Sequence, residues 1–221
     1  MRSQRIVLRP EIDWGLFEQR GGLQGVEELR AEAKELFERC TGRVCPKALV
    51  REASVRIVDD LRVDIGGELF ESRCLSSNLS GVDTTFVYVA TCGIELEELA
   101  HSGDGLSSYW VDLIKELALD AVVEAVSAMV AERYGVGGVA TMNPGSADVE
   151  VWPIEQQLPL FRLLGDVETK IGVRLSDHML MTPNKSVSGV FFPSHAGWVS
   201  CEACTRQGCI GRRAPFNPGS R

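Results

Sequence analysis

Three cysteines lie close together near the C-terminal end of the sequence, in the order Cys201-Glu-Ala-Cys204-Thr-Arg-Gln-Gly-Cys209. A C-x-x-C step lets two thiolates of one turn face a single ion, and the third cysteine can fold back as a further soft ligand. Zinc and iron–sulfur clusters both bind such thiolates. The spacing therefore predicts a metal site formed by Cys201, Cys204 and Cys209. A purely structural zinc clamp and unliganded cysteines are the two alternatives.

The surroundings of these cysteines are basic, and a fourth ligand is not evident. Positive side chains nearby would offset the negative charge of a thiolate site, and three of them belong to Arg206, Arg212 and Arg213. Candidates for the fourth ligand lie elsewhere in the chain, and spacing alone does not choose among them: Cys45, Cys74, Cys92 and His195.

A second candidate group is a row of acidic residues within a long helical pattern. Glu116, Asp120 and Glu124 are four residues apart and would share one helix face, where like charges repel by about a few tenths of a kcal/mol. A solvated face is one interpretation. Glu124 lies in the most apolar part of the pattern, between Ala-Val-Val and Ala-Val, which favours contact with a ligand.

The loop at 141–146, Thr-Met-Asn-Pro-Gly-Ser, precedes another helical pattern. Its backbone N–H groups could hold a ligand, although a Pro-Gly pair is equally typical of an ordinary tight turn. The sequence contains no Walker motif, no dinucleotide fingerprint and no Ser-His-Asp arrangement. The loop is therefore a candidate binding element rather than a catalytic motif.

Composition limits the kind of protein that can carry these groups. The 221 residues are 44% hydrophobic and have a formal net charge of −8, which argues against a general nucleic-acid-binding protein. No apolar run reaches the roughly 20 residues of a transmembrane helix, and the N-terminal apolar stretch is too short for a secretory signal. We therefore expect a cytoplasmic protein. Because the cytoplasm keeps thiols reduced, we do not expect its seven cysteines to form a disulfide framework.

Hydrophobic periodicity predicts a mixed set of elements that would position these residues. Helices are predicted at 26–40, 72–79, 95–101, 107–134 and, with an interruption at Pro159 or Gly165, 153–171. Strands are predicted at 53–65 and 84–91, followed by a hairpin that pairs 173–181 with 187–192. Because helices and strands alternate irregularly, we expect an α+β fold. Along the chain we distinguish an N-terminal part (1–104), a core (105–195) and a cysteine-rich tail (196–221).

Several segments in order resemble the activation (reactivation) domain of cobalamin-dependent methionine synthase. They are Met142–Gly145, Trp152–Gln157, Ile171–Leu175, Met179–Met181, Pro183 and Lys185–Gly189. Their order and spacing match the family over about residues 105–195. The Ser-Val-Ser-Gly strand is the most specific of them. The resemblance implies a bent antiparallel sheet flanked by helices.

The resemblance also implies a function and a ligand site. The family rescues a corrinoid cofactor that has oxidised to cob(II)alamin, using an external electron and S-adenosylmethionine, and the corrinoid is carried by a partner methyltransferase. The family's glutamate that contacts S-adenosylmethionine falls on Glu124. The implied cleft lies between this helix, the 141–146 loop and the Ser-Val-Ser-Gly strand. Its other candidate residues are Asp120, Thr141, Asn143, Gly145, Ser146, Ser186, Ser188 and Trp198.

The binding loop departs from the family at two positions. The family carries an arginine where this chain has Thr141, and a tyrosine where it has Ser146. The missing arginine removes a charge-assisted contact of about 1.5–3 kcal/mol. We therefore expect the affinity for S-adenosylmethionine to be lower by roughly one to two orders of magnitude.

Three functions are compatible with these residues. The preferred one is an accessory protein for reductive reactivation of a corrinoid methyltransferase, with an iron–sulfur cluster in the tail delivering the electron. The alternative is a non-catalytic module that docks on a corrinoid protein or binds a corrinoid, with a structural metal. A self-contained S-adenosylmethionine-dependent methyltransferase is the third.

Overall fold

The computed structural model describes residues 3–8, 11–102, 104–146, 148, 150–194, 197–209 and 212–220. Its strands are β1 (Gln4–Val7), β2 (Lys47–Ile57), β3 (Arg62–Ile65), β4 (Glu68–Glu71), β5 (Thr84–Thr91), β6 (Val139–Met142), β7 (Arg174–Leu175), β8 (Met181–Thr182) and β9 (Ser186–Pro193). Its helices are α1 (Trp14–Arg20), α2 (Glu27–Thr41), α3 (Arg73–Asn78), α4 (Glu97–Ser102), α5 (Gly105–Tyr134), α6 (Gln157–Leu164) and α7 (Val167–Ile171). Short 3-10 turns occur at Ile154–Gln156, Ser200–Ala203 and Pro218–Ser220.

Seven strands form one antiparallel sheet in the order β4-β3-β2-β5-β9-β6, with β1 also paired to β2. Along the same edge of β2, residues 47–50 pair with β1 and residues 55–57 pair with β3. Strand β2 thus pairs with β1 in its first half and with β3 near its end. The α+β class and the helix-flanked antiparallel sheet are confirmed.

Helix α5 has a defined start and a defined end. The Asp104 carboxylate accepts hydrogen bonds from the backbone N–H groups of Leu106 and Ser107, which caps the first turn. Gly135 ends the helix in the left-handed conformation, with φ +67°. The predicted helix at 107–134 is therefore confirmed and begins slightly earlier.

The sheet is buried on both faces. Val122, Val126 and Val130 recur every four residues on α5 and pack on one face, against Tyr88 and Phe191 among others. On the other face, α3, α6 and α7 pack against alternate residues of the same strands, including Val87, Val89, Val190 and Phe192. The first half of α5 is buried instead against α1, α2 and α4. The second half of α5 is thus held close to the sheet edge formed by β6.

Two predicted strand assignments are wrong. The region 53–65 contains two strands, because the Asp59 carboxylate accepts from the N–H groups of Leu61 and Arg62 and turns the chain between them. The predicted hairpin of 173–181 with 187–192 does not form, since β9 pairs with β5 and β6 while β7 pairs with β8. Strand β9 is apolar on both faces, which requires a position inside the sheet.

No helix in the described part of the chain has the length and apolar character needed to cross a lipid bilayer.

Candidate functional site

An open pocket of about 620 Å³ lies between the second half of α5, strand β6 with the loop that follows it, and the tail. It brings together many of the residues predicted from sequence: Asp120, Glu124, Thr141, Asn143, Ser146, Trp198 and Cys201. Ser127, Phe191 and Arg213 also line it. The residues come from positions far apart in the chain, so the pocket is a product of tertiary packing.

The helix side of the pocket is acidic. Asp120 lies 3.2 Å from the guanidinium of Arg20, so part of its charge is already balanced. Within the described residues, Glu124 has no hydrogen-bond or ion-pair partner, and it is exposed toward the pocket rather than buried in the apolar face of α5. An unbalanced carboxylate at this position can attract a cationic ligand group.

A hydrogen-bonded chain forms the base of the pocket at β6. The amide nitrogen of Asn143 donates to the Tyr88 hydroxyl (2.7 Å) and to the Ser188 carbonyl (2.9 Å). The Tyr88 hydroxyl lies 3.1 Å from Oγ1 of Thr141. Either hydroxyl can be the donor in this pair. Burial raises the pKa of Tyr88, so its phenol stays protonated. Thr141 lines the pocket, so its hydroxyl can pair with a ligand there.

Gly189 allows this chain to form. A Cβ atom on Gly189 would lie 2.2 Å from the Met142 carbonyl oxygen and 2.4 Å from Nδ2 of Asn143. The Ser-Val-Ser-Gly sequence therefore ends in glycine because the backbone of β6 approaches β9 closely at this point. The close approach places Asn143 within reach of Tyr88.

Two aromatic rings add apolar surface to the pocket. Phe191 stacks on Tyr88 with the ring centroids 4.3 Å apart. Trp198 packs on Phe192, and its indole Nε1 is buried without a hydrogen-bond partner among the described residues. Trp198 lines the pocket, whereas this nitrogen is shielded from solvent.

The tail that closes the pocket is organised by Arg212. Its guanidinium donates to four backbone carbonyls, those of Cys201, Cys204, Arg206 and Ala214. The loop around the cysteines is therefore wrapped about a cation. The cysteine loop also contacts the chain that follows β6, because the Thr205 hydroxyl donates a hydrogen bond to the Asp148 carboxylate at 2.7 Å.

The fold is similar to that of a solved structure. The chain is similar to the crystal structure of the MetH reactivation domain bound to AdoHcy, with a TM-score of 0.64 and 19% identity over 86% of this chain and 78% of that one. The chain has the reactivation-domain fold. No known family model matches the sequence, and no curated protein matches it.

The metal site predicted at the tail cysteines is not confirmed by the described residues. Across the described ranges, no three His, Cys, Asp or Glu side chains are grouped so that they could hold an ion. Cys201 lies in the pocket wall, where its Sγ accepts from the Arg213 N–H at 3.3 Å, and Cys209 is exposed. The described residues therefore give no support to the predicted zinc or iron–sulfur site.

Among the described residues, no candidate for a further metal ligand is grouped with the tail cysteines. Cys74 and Cys92 are buried in separate hydrophobic clusters. Cys45 is half-buried beside the start of β2. His195 lies outside the described residues.

Ser186 and Ser188 are not brought into the pocket. Side chains alternate along β9, so these two serines lie on the face opposite Phe191. Ser186 bonds to Thr91 at 2.9 Å, and Ser188 to Gln157 at 3.2 Å. Only the Ser188 backbone carbonyl contributes, through Asn143. Gly145 shapes the loop, because its φ is +77° and Ile154 lies close against it.

Sequence reasoning missed two residues of this site. Arg213 was considered only as a counter-charge for thiolates, and Tyr88 was included only as part of a buried strand. A signal for Tyr88 was present, since its phenol hydroxyl in an otherwise apolar strand requires a buried partner. Nothing in the local sequence of Arg213 indicates that it lines the pocket.

We predict that alkylation of the native protein with iodoacetamide will separate the cysteines into two groups. Burial raises the pKa of Cys74 to about 11 and that of Cys92 to about 12, so both thiols stay protonated and shielded at pH 8. Cys201, Cys204 and Cys209 should be labelled first, as measured by peptide mass spectrometry. Pre-treatment with a chelator is the control. Tail cysteines that react only after chelation would contradict the metal-free arrangement.

Proposed function

We propose that this protein supports the reductive reactivation of a corrinoid-dependent methyltransferase by binding S-adenosylmethionine in the pocket between α5, β6 and the tail. The observation that carries the proposal is the pocket itself, which gathers Glu124, Thr141, Asn143 and Trp198 in a reactivation-domain fold. The similar solved domain binds AdoHcy, the product of methyl transfer from S-adenosylmethionine. The corrinoid would be carried by a partner protein.

The proposed reaction joins an electron transfer to a methyl transfer. Cob(II)alamin on the partner accepts one electron from an external donor and becomes cob(I)alamin. The cobalt electron pair then attacks the S-adenosylmethionine methyl group, so that a cobalt–carbon bond forms, the sulfur–carbon bond breaks and AdoHcy leaves. The donor is external in this proposal, since the described cysteines do not fit a cluster.

The residues of the pocket have distinct parts in this proposal. The Glu124 carboxylate stabilises the sulfonium cation, and this attraction is lost when the sulfur becomes a neutral thioether. Substrate is therefore held more strongly than product at this contact. The Thr141 hydroxyl offers a hydrogen bond to a polar ligand atom, and the Trp198 side chain offers apolar surface.

A reconstituted reaction tests the proposal. A corrinoid methyltransferase holding cob(II)alamin is mixed with titanium(III) citrate, S-adenosylmethionine and this protein, and methylcobalamin formation is followed by its visible spectrum. We expect methylation that needs both this protein and S-adenosylmethionine. Binding to the corrinoid protein without any acceleration would instead favour a non-catalytic docking module.

We predict that Glu124→Gln weakens S-adenosylmethionine binding by about tenfold, because a charge-assisted contact of roughly 1.5 kcal/mol is lost. AdoHcy should be affected less, since its sulfur is uncharged. Isothermal titration calorimetry measures both affinities. Glu132→Gln, on the exposed part of the same helix, removes the same charge outside the pocket and is the control. Equal losses in the two variants would contradict a direct role for Glu124.

A further inference from the structure

The pocket carries opposite charges on its two sides. Asp120 and Glu124 line the pocket from α5, and Arg213 lines it from the tail. Among the described residues that line the pocket, no other lysine or arginine is present. The Arg213 guanidinium has no carboxylate within ion-pair distance in the described part of the chain, whereas Asp120 is paired with Arg20. The pocket thus offers one uncommitted cation opposite one uncommitted anion.

We propose that Arg213 binds the α-carboxylate of the ligand, so that the pocket selects a zwitterionic S-adenosyl amino acid; this inference rests on the proposed function. The planar guanidinium can donate two parallel hydrogen bonds to a carboxylate. The ligand's sulfonium and ammonium groups then face Glu124. The cation that Thr141 on β6 lacks is thereby supplied by a residue of the tail.

The backbone around Arg213 is held in place before a ligand arrives. Its N–H group donates to Sγ of Cys201 at 3.3 Å. The neighbouring Arg212 side chain binds the carbonyls on both sides of the cysteine loop. Because the tail is anchored in this way, less conformational entropy is lost when the Arg213 guanidinium meets a carboxylate.

Two ligands that differ only in the carboxylate test this assignment. Affinities of S-adenosylmethionine and of decarboxylated S-adenosylmethionine are measured by calorimetry for the native protein and for Arg213→Gln. We expect the substitution to weaken S-adenosylmethionine by about 10- to 100-fold, the effect of losing a charged hydrogen-bonded pair. The decarboxylated ligand should change by less than about threefold, as for an exposed charge.

Two further variants complete the comparison. Arg206→Gln removes an exposed charge from the same segment outside the pocket, and we expect it to leave both affinities within about threefold. Arg213→Lys keeps the charge without the planar fork and should retain part of the affinity. Thermal unfolding of every variant shows that the tail substitutions leave the fold intact.

The possible outcomes separate this inference from the proposed function. An Arg213→Gln protein that binds S-adenosylmethionine as well as the native protein does would overturn the assignment and leave the proposed function standing. Equal weakening of both ligands would also overturn it, since Arg213 would then act through the shape of the tail. A folded native protein that binds neither ligand would overturn the proposed function and this inference together.

Discussion

Gly189→Ala is expected to lower the free energy of unfolding by about 3 kcal/mol, at the upper end of the usual cost of overpacking. The new methyl group would lie 2.2 Å from the Met142 carbonyl oxygen, which belongs to the neighbouring strand and cannot rotate away. Strand β6 must therefore shift from β9. The shift would also remove the bond from Asn143 to the Ser188 carbonyl, so ligand binding should fall with stability.

Chemical denaturation monitored by tryptophan fluorescence measures this change. Gly138→Ala is the matched control, because a Cβ atom there meets nothing within 4 Å. We expect the control to stay within about 0.5 kcal/mol of the native protein. If both variants unfold at the same denaturant concentration, the close approach of β6 to β9 is not tight enough to exclude a methyl group.

Lys115→Met is expected to cost about 3 kcal/mol, the lower part of the range for breaking a buried ion pair. Lys115 is only 1% exposed, and its Nζ lies 2.7 Å from the Glu97 carboxylate and 2.9 Å from Oδ1 of Asn184. Without the ammonium group, both acceptors lose their partner. The Glu97 side chain is 27% exposed, so water can partly solvate its carboxylate and the loss of stability is limited.

A double-mutant cycle separates this charge effect from a packing effect. Lys115→Met combined with Glu97→Gln removes both charges, and we expect it to recover about 1 kcal/mol or more of the lost stability. Arg162→Met breaks an exposed pair with Glu68 and should cost less than about 1 kcal/mol. A Lys115→Met variant no less stable than Arg162→Met would show that water reaches the buried ammonium group.

Much of the fold follows from local patterns in the sequence. The helix that ends at Gly135 and the strand 84–91 could be predicted because their apolar periodicity is long and their ends carry ordinary signals. The partners of β9 could not be predicted in this way. Its alternation fits any position with two buried faces, and pairing with β5 joins residues about one hundred positions apart.

The candidate site was predictable in part. Glu124 and the 141–146 loop lie in segments with recognisable sequence, and the structure places both in the pocket. Arg213 reaches the pocket only because the tail folds back over β6. That path depends on Arg212 and on the Thr205–Asp148 contact, which are interactions between distant residues rather than a local pattern.

The cysteine cluster shows a limit of spacing arguments. Cys201 and Cys204 have the separation of metal ligands, and that separation is equally compatible with a loop built around an arginine. Spacing records which side chains can meet. It does not record whether they bind a metal.

Because the Arg212-centred tail is also a wall of the pocket, its folding and ligand occupancy form a single linked equilibrium. A ligand present at one hundred times its dissociation constant would stabilise the ordered tail by about 2.7 kcal/mol relative to an open state that does not bind. Conversely, anything that loosens Arg212 from its four carbonyls lowers apparent affinity without touching a ligand atom. If the proposed ligand binds, we expect the C-terminal segment to become more resistant to proteases when the pocket is occupied.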